Sequence, residues 1–151
     1  MREFATLSAL HDAIGQEVAI TDWVAIAPER IAMFADATDD QQWIHVDAER
    51  CARESPWSAP VAHGFLTLSM IPAMFAQSIG LGGASMVVNY GMNRVRFPAP
   101  VPAGSRIRAR LVLNSVTELA DCAQLVWNVT VECEGQDKPA CVAELLLRRY
   151  P

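Results

Sequence analysis

From Gly64 to Asn93 the chain runs thirty residues without a charged side chain. Such a stretch belongs either in a membrane or in a protein interior. A membrane span needs about twenty consecutive, mostly apolar residues. Here Pro72, Gln77, Gly80, Gly82, Gly83 and Asn89 interrupt the run. The pattern predicts a buried helix over FLTLSMIPAMFAQSIG, ended by its glycines, then a turn and a strand. No membrane span is expected. A helix that is apolar on nearly every side is one wrapped by other structure.

The flanking segments supply candidates for the wrapping. Residues 3–14 fit a short helix, and residues 17–26, EVAITDWVAI, are rich in β-formers and read as a strand. Pro28 suits the first turn of a helix. Ala27, Ile31, Phe34 and Ala35 share one side of it, and it runs to about Asp36. Residues 39–47 read as a loop, after which Asp47 caps a helix over AERCARE. Residues 85–97, 105–117, 121–133 and 139–150 are β-branched and alternating, with turns at PAPVPAG, near residues 118–121, and at EGQDKP. One strand, then helices, then four long strands make a single α+β domain over residues 1–151, built on an antiparallel sheet. No internal repeat or linker divides it. With 52% apolar and 19% charged residues in 151, the chain can bury a core without a staple.

The net charge of −5 argues against non-specific nucleic-acid binding. Cys51, Cys122, Cys133 and Cys141 have no CxxC spacing and form no Cys/His cluster with zinc spacing. Free thiols in a reducing, cytoplasmic setting are the expectation. The start, MREFATLSALHD, lacks the apolar core of a secretory signal.

The nonapeptide DDQQWIHVD, residues 39–47, crowds three carboxylates and a histidine around Trp43 and Ile44. Asp40 and His45 are five apart, about 140° around a helix. They meet only if the segment is a folded loop, and burial of Trp43 and Ile44 would pin one at roughly 1.5–3 kcal/mol per large side chain. A carboxylate beside an imidazole can hold and polarise a water. Alternatively Asp40 caps a turn and His45 packs in the core. A third possibility is a metal site built from Asp39, Asp40, His45 and Asp47, although adjacent aspartates do not naturally point to one centre. Spacing alone leaves these open. Gly64 opens the apolar helix, with His63 at or near its cap. An unpaired amide there can polarise a carbonyl, or the glycine simply permits close packing.

FADATDDQQWIHVD followed by APVAHGFLTLSM resembles the MaoC-like dehydratases, which include the (R)-specific enoyl-CoA hydratases. QWIH and NYGMNRVRFPAPVPAGSRIRA look closest to the small single-domain, nodulation-protein-N-like branch. The similarity runs from about Val18 to the C-terminus. It implies a hotdog fold, with an antiparallel sheet wrapped around a long central helix, and a homodimer. It places the catalytic aspartate on Asp40, the catalytic histidine on His45, and the glycine facing a thioester carbonyl on Gly64. The chain departs from the pattern at Asp39, where many members have glycine, and at Gln42-Trp43, where the broader motif has Asn-Pro. It also departs at Pro72, where some hydratases carry a serine.

The implied activity is reversible hydration of a trans-2-enoyl thioester, on coenzyme A or acyl carrier protein, to the (R)-3-hydroxyacyl thioester. It calls for no cofactor and no metal. The coenzyme A phosphates would need positive charge, and Arg94 and Arg96 alternate on one strand as Arg106, Arg108 and Arg110 do on the next. The PAPVPAG connection is expected to bring the two sets together, unless they form an ordinary solvated face. Two alternatives are an acyl-thioester thioesterase of the same fold and a non-catalytic acyl-thioester-binding subunit.

Overall fold

The computed structural model describes residues 1–151. In chain order its elements are β1 (Arg2–Phe4), α1 (Leu7–His11), β2 (Glu17–Ile20), β3 (Val24–Ala25), α2 (Pro28–Thr38), α3 (Trp43–Val46), α4 (Ala48–Glu54), α5 (Gly64–Ser69), α6 (Ile71–Ser78), β4 (Ile79–Leu81), β5 (Met86–Arg96), β6 (Arg106–Glu118), β7 (Ala123–Cys133) and β8 (Cys141–Tyr150). The main sheet is antiparallel, in the order β2-β6-β7-β8-β5, with β3 also on β6. The four long strands lie where alternation predicts them. In β7, Leu125, Trp127, Val129 and Val131 point inward and are buried, while the residues between them stay partly open.

The inward face packs on the apolar helix. Leu66, Ile71, Met74 and Phe75 are buried in one cluster with the sheet. The Phe75 ring meets Trp127 edge-on, at 5.0 Å between centroids. The predicted single helix is two pieces, α5 and α6, joined by Met70. Helical bonding nonetheless continues across the joint, from Met70 N–H to Leu66 O and from Met74 N–H to Met70 O, both 3.1 Å. The break falls where Pro72, in the first turn of α6, lacks an N–H to donate. Together the two pieces span about 22 Å at 1.5 Å per residue.

Four expectations change. The helix is covered on one side only: Phe65 is 69% exposed, and Pro72, Ala73, Ala76 and Gln77 are open. Its end comes at Ser78, and Ile79–Leu81 forms a strand, β4, parallel to β1. At the N-terminus the helix predicted over 3–14 shortens to α1, because the Thr6 hydroxyl accepts from Ala9 N–H and starts the helix there. The strand predicted over 17–26 is divided into β2 and β3. Between them the Thr21 hydroxyl accepts from Ala109 N–H at 2.9 Å, in place of a ladder carbonyl.

Asp47 caps α4 as its sequence suggests, accepting from Arg50 N–H at 2.8 Å. All four cysteines are free and buried. Burial pushes the Cys141 thiol up to about 11, which leaves it unreactive. No helix is long and apolar enough to cross a membrane.

Candidate active site

Helix α2 ends on Asp39, whose φ of 58° and ψ of 18° place it in the left-handed C-cap conformation. Glycine suits that position, and aspartate is one of few other residues that enter it readily. The departure from glycine at position 39 therefore keeps the turn. The chain reverses there, presents Asp40, and starts a single helical turn, α3, where the sequence predicts a loop. The turn is closed by Asp47 N–H on Trp43 O at 3.0 Å.

The pinning differs from the expected apolar anchor. Trp43 and Ile44 are only half-buried, and the Arg50 guanidinium covers the Trp43 ring at 4.3 Å. Hydrogen bonds to the segment before α5 hold the turn instead. Val61 N–H donates to Ile44 O at 3.0 Å. His45 Nδ1 lies 2.6 Å from Val61 O. A carbonyl can only accept, so His45 carries its proton on Nδ1 and keeps a lone pair on Nε2. His63 Nε2 donates to Asp40 O at 3.0 Å.

Asp40 and His45 are therefore brought near each other. Their side-chain ligand atoms, with those of His63, lie within 4.8 Å of one another. Burial lowers the His45 pKa from its usual 6.5. The Val61 hydrogen bond opposes this, His63 adds to the lowering, and Asp40 raises it slightly. Asp39 and Asp47 are committed to caps and stand outside the cluster. The His45 and His63 rings are stacked at 3.7 Å, with 25° between planes. An ion bound to both must lie in both ring planes, and planes so nearly parallel do not cross near the nitrogens. Stacked rings in this arrangement do not aim two nitrogens at a common cation.

A cavity of about 300 Å³ opens beside this cluster. Its wall includes His45, Gly64, Thr67, Trp57 and Phe97, with the Pro-rich segment after Phe97. His45 thus lies within 4.8 Å of Asp40 and also lines the cavity; Asp40 itself is exposed and does not line it. Gly64 is the first residue of α5, so its amide has no intrahelical acceptor. The ring of Phe97 lies against it: a methyl group at position 64 would sit 2.9 Å from Phe97 Cδ2. A larger apolar groove, about 410 Å³, runs between α6 and β5 and contains no titratable side chain.

The arginines divide. Arg106 pairs with Glu134, Arg108 with Glu132 at 2.6 Å, and Arg110 with Glu17 at 2.8 Å. Strands β7 and β8 stand between β5 and β6, so the PAPVPAG connection does not bring the two sets together. Arg94 and Arg96 make no ion pair. They share an outer-face hollow with Asn128, Thr130 and Glu144. Sequence reasoning missed Phe97, Trp57 and Thr67 as cavity wall. The signal was present in FPAPV, which is apolar where a surface turn is normally polar.

The MaoC like domain family matches residues 9–133. The chain is 48% identical over 149 residues to 3-hydroxyacyl-thioester dehydratase Z of Mycobacterium tuberculosis, covering 98% of each. It is 43% identical over 140 residues to Nodulation protein N of Rhizobium meliloti, covering 91% of this chain and 87% of that one. The X-ray structure of a monoamine oxidase regulatory protein from Archaeoglobus fulgius superposes with a TM-score of 0.81 at 22% identity, over 99% and 97% of the two chains. A helix seated in an antiparallel sheet, an aspartate and a histidine within 4.8 Å of each other near its start, and these likenesses agree: the chain belongs to the MaoC-like dehydratase family, as an enzyme of the hydratase/dehydratase type.

Proposed function

We propose that this protein catalyses the reversible (R)-specific hydration of trans-2-enoyl thioesters. The observation that carries the proposal is the meeting of the Asp40 carboxylate and the His45 imidazole beside a cavity that reaches Gly64. The Gly64 N–H polarises the thioester carbonyl and draws charge away from C3. Asp40 and His45 hold a water between them. Its oxygen bonds to C3 while the dyad takes its proton, and a proton returns from the dyad to C2 on the same face. The two groups titrate as a pair. The mostly apolar cavity wall receives the acyl chain. Arg94 and Arg96, free of ion pairs, are the candidates for a coenzyme A phosphate. The resemblance to a 3-hydroxyacyl-thioester dehydratase supports a thioester substrate.

The same reading includes a homodimer. Strand β5 lies at the edge of the sheet, with Val87 and Tyr90 41% and 54% exposed. Beside it run the apolar groove and the uncovered face of α5 and α6. An unpaired edge with an apolar flank invites a second strand, and a second copy supplies one.

The proposal is tested by following crotonyl-CoA with purified protein. Loss of enoyl absorbance with no free thiol, and (R)-3-hydroxybutyryl-CoA as product, is the expected result. Release of thiol identifies a thioesterase, and saturable binding without turnover identifies a binding subunit.

Two further outcomes are expected. Because burial favours the neutral form of His45, the acid limb of kcat/KM should fall below pH 6.5. Stability follows the same sign. The lowered value means that the unfolded chain binds the proton more readily, so this contribution is full above 6.5 and is lost as pH falls through the folded value. A limb at or above pH 7 would remove His45 as the base. Second, Gly64→Ala crowds Phe97, and such overpacking costs about 1–3 kcal/mol. The displaced Phe97 ring narrows the cavity, and KM for crotonyl-CoA should rise about tenfold, equivalent to about 1.4 kcal/mol of binding. Adding Phe97→Ala should reverse most of the rise, as a double-mutant cycle of kcat/KM would record.

A further inference from the structure

We infer that His63 is a positioning residue, a buried strut that sets the main chain at Asp40 and the ring of His45 relative to Gly64. This rests on the hydratase reading for its catalytic meaning, though not for its geometry. The sequence suggests a helix cap, and His63 does occupy the N-cap position of α5. Its side chain, however, caps nothing. It turns inward instead, with 2% of its surface exposed.

Three connections meet in this one residue. Its carbonyl accepts from Thr67 N–H at 3.1 Å, which locks the first turn of α5 and thereby the direction of the Gly64 amide. Its Nε2–H reaches back twenty-three positions to the Asp40 carbonyl. Its ring stacks on His45, and Phe34 of α2 packs against it at 5.0 Å. The titratable groups that face it are Asp40 and His45. The bond to Asp40 fixes the proton on Nε2 and leaves Nδ1 as an acceptor. That nitrogen is buried and has no partner.

An orphaned buried acceptor is unfavourable for stability. A phenyl ring is flat, only slightly larger, and carries no such acceptor. A residue chosen for packing alone would therefore be phenylalanine. What only the imidazole supplies is a flat ring under His45 together with a donor directed at the turn that carries Asp40. Misplacing a catalytic group by about 1 Å costs on the order of a hundredfold in rate, and His63 contacts the Asp40 main chain and the His45 ring at once.

The test compares His63→Phe and His63→Gln with wild type. His63→Phe keeps the ring and loses the donor. It should retain its melting temperature within a few degrees, since no orphan nitrogen remains, while kcat for crotonyl-CoA hydration falls about 10- to 100-fold and KM moves far less. His63→Gln can still donate to the Asp40 carbonyl and should recover much of kcat. A kcat in His63→Phe close to that of wild type overturns the inference, as does a loss that appears wholly in KM. Nitrogen-15 NMR of the wild-type imidazoles tests the geometry without substrate, and decides the matter if a variant fails to fold. His63 protonated on Nε2 and His45 on Nδ1 supports the strut; His63 protonated on Nδ1 overturns it. Absence of hydration by wild type defeats the proposed function and leaves this NMR result standing on its own.

Discussion

Asp40→Asn should lower kcat for crotonyl-CoA hydration by about 10²–10⁴-fold, the usual contribution of a positioned acid–base group. Asparagine has the shape of aspartate and cannot take the proton of water. The substitution leaves in place the main-chain carbonyl that receives the His63 donor, so the turn at Asp39 and the seat of His45 persist. The side chain is exposed, and its loss should change folding stability by no more than about 0.5 kcal/mol. A fall in rate with an unchanged unfolding transition is therefore the signature. His45→Gln should cost a similar factor, and the double variant should cost little more than either single one, because groups that act as a unit are not additive. Near-wild-type turnover in Asp40→Asn would take the dyad out of the mechanism.

The largest effect on stability is expected at Trp127. Its side chain is fully buried. It lies opposite Leu113 on β6 and Leu145 on β8, with the Phe75 ring of α6 meeting it edge-on. Truncating a buried tryptophan to alanine typically costs about 3–5 kcal/mol, a large part of the roughly 5–15 kcal/mol that holds a domain together. The aromatic contact adds about 0.5–1.5 kcal/mol of that through geometry. Trp127→Ala should therefore shift the urea midpoint strongly toward lower denaturant. Phe75→Leu should cost less and should lose most of its effect in the Trp127→Ala background. A loss below about 1 kcal/mol would mean that the helix does not seat on this ring.

Much of the fold follows from local pattern. Strands β6 and β7 alternate along most of their length because one face meets the helix and the other meets solvent, and that period is visible in the chain; β5, at the edge of the sheet, buries no residue. What local pattern does not carry is pairing between distant segments. Nothing in residues 79–81 announces a parallel partner at residues 2–4, and the glycine there suggests only an ending. Strand order is equally silent, so the arginines of β5 and β6 read as neighbours although β7 and β8 separate them. At the candidate site, Asp40, His45 and Gly64 are proposed from residue type and resemblance. The means of holding them cannot be read that way. Trp43 and Ile44 look like the anchor, but the bonds from Val61 and His63 do that work. Those bonds depend on a chain reversal encoded by the conformation of Asp39.

The proposed chemical groups all come from 25 consecutive residues, 40 to 64, whereas part of the hollow facing them is built by Phe97, residues 98–101 and Ala140. On the proposed reading, part of the selectivity is thus written in a different stretch of the gene from the reaction. Recombining the segment that begins at Phe97 between relatives should exchange preference for short or long acyl groups while the proton-transfer apparatus passes through unaltered.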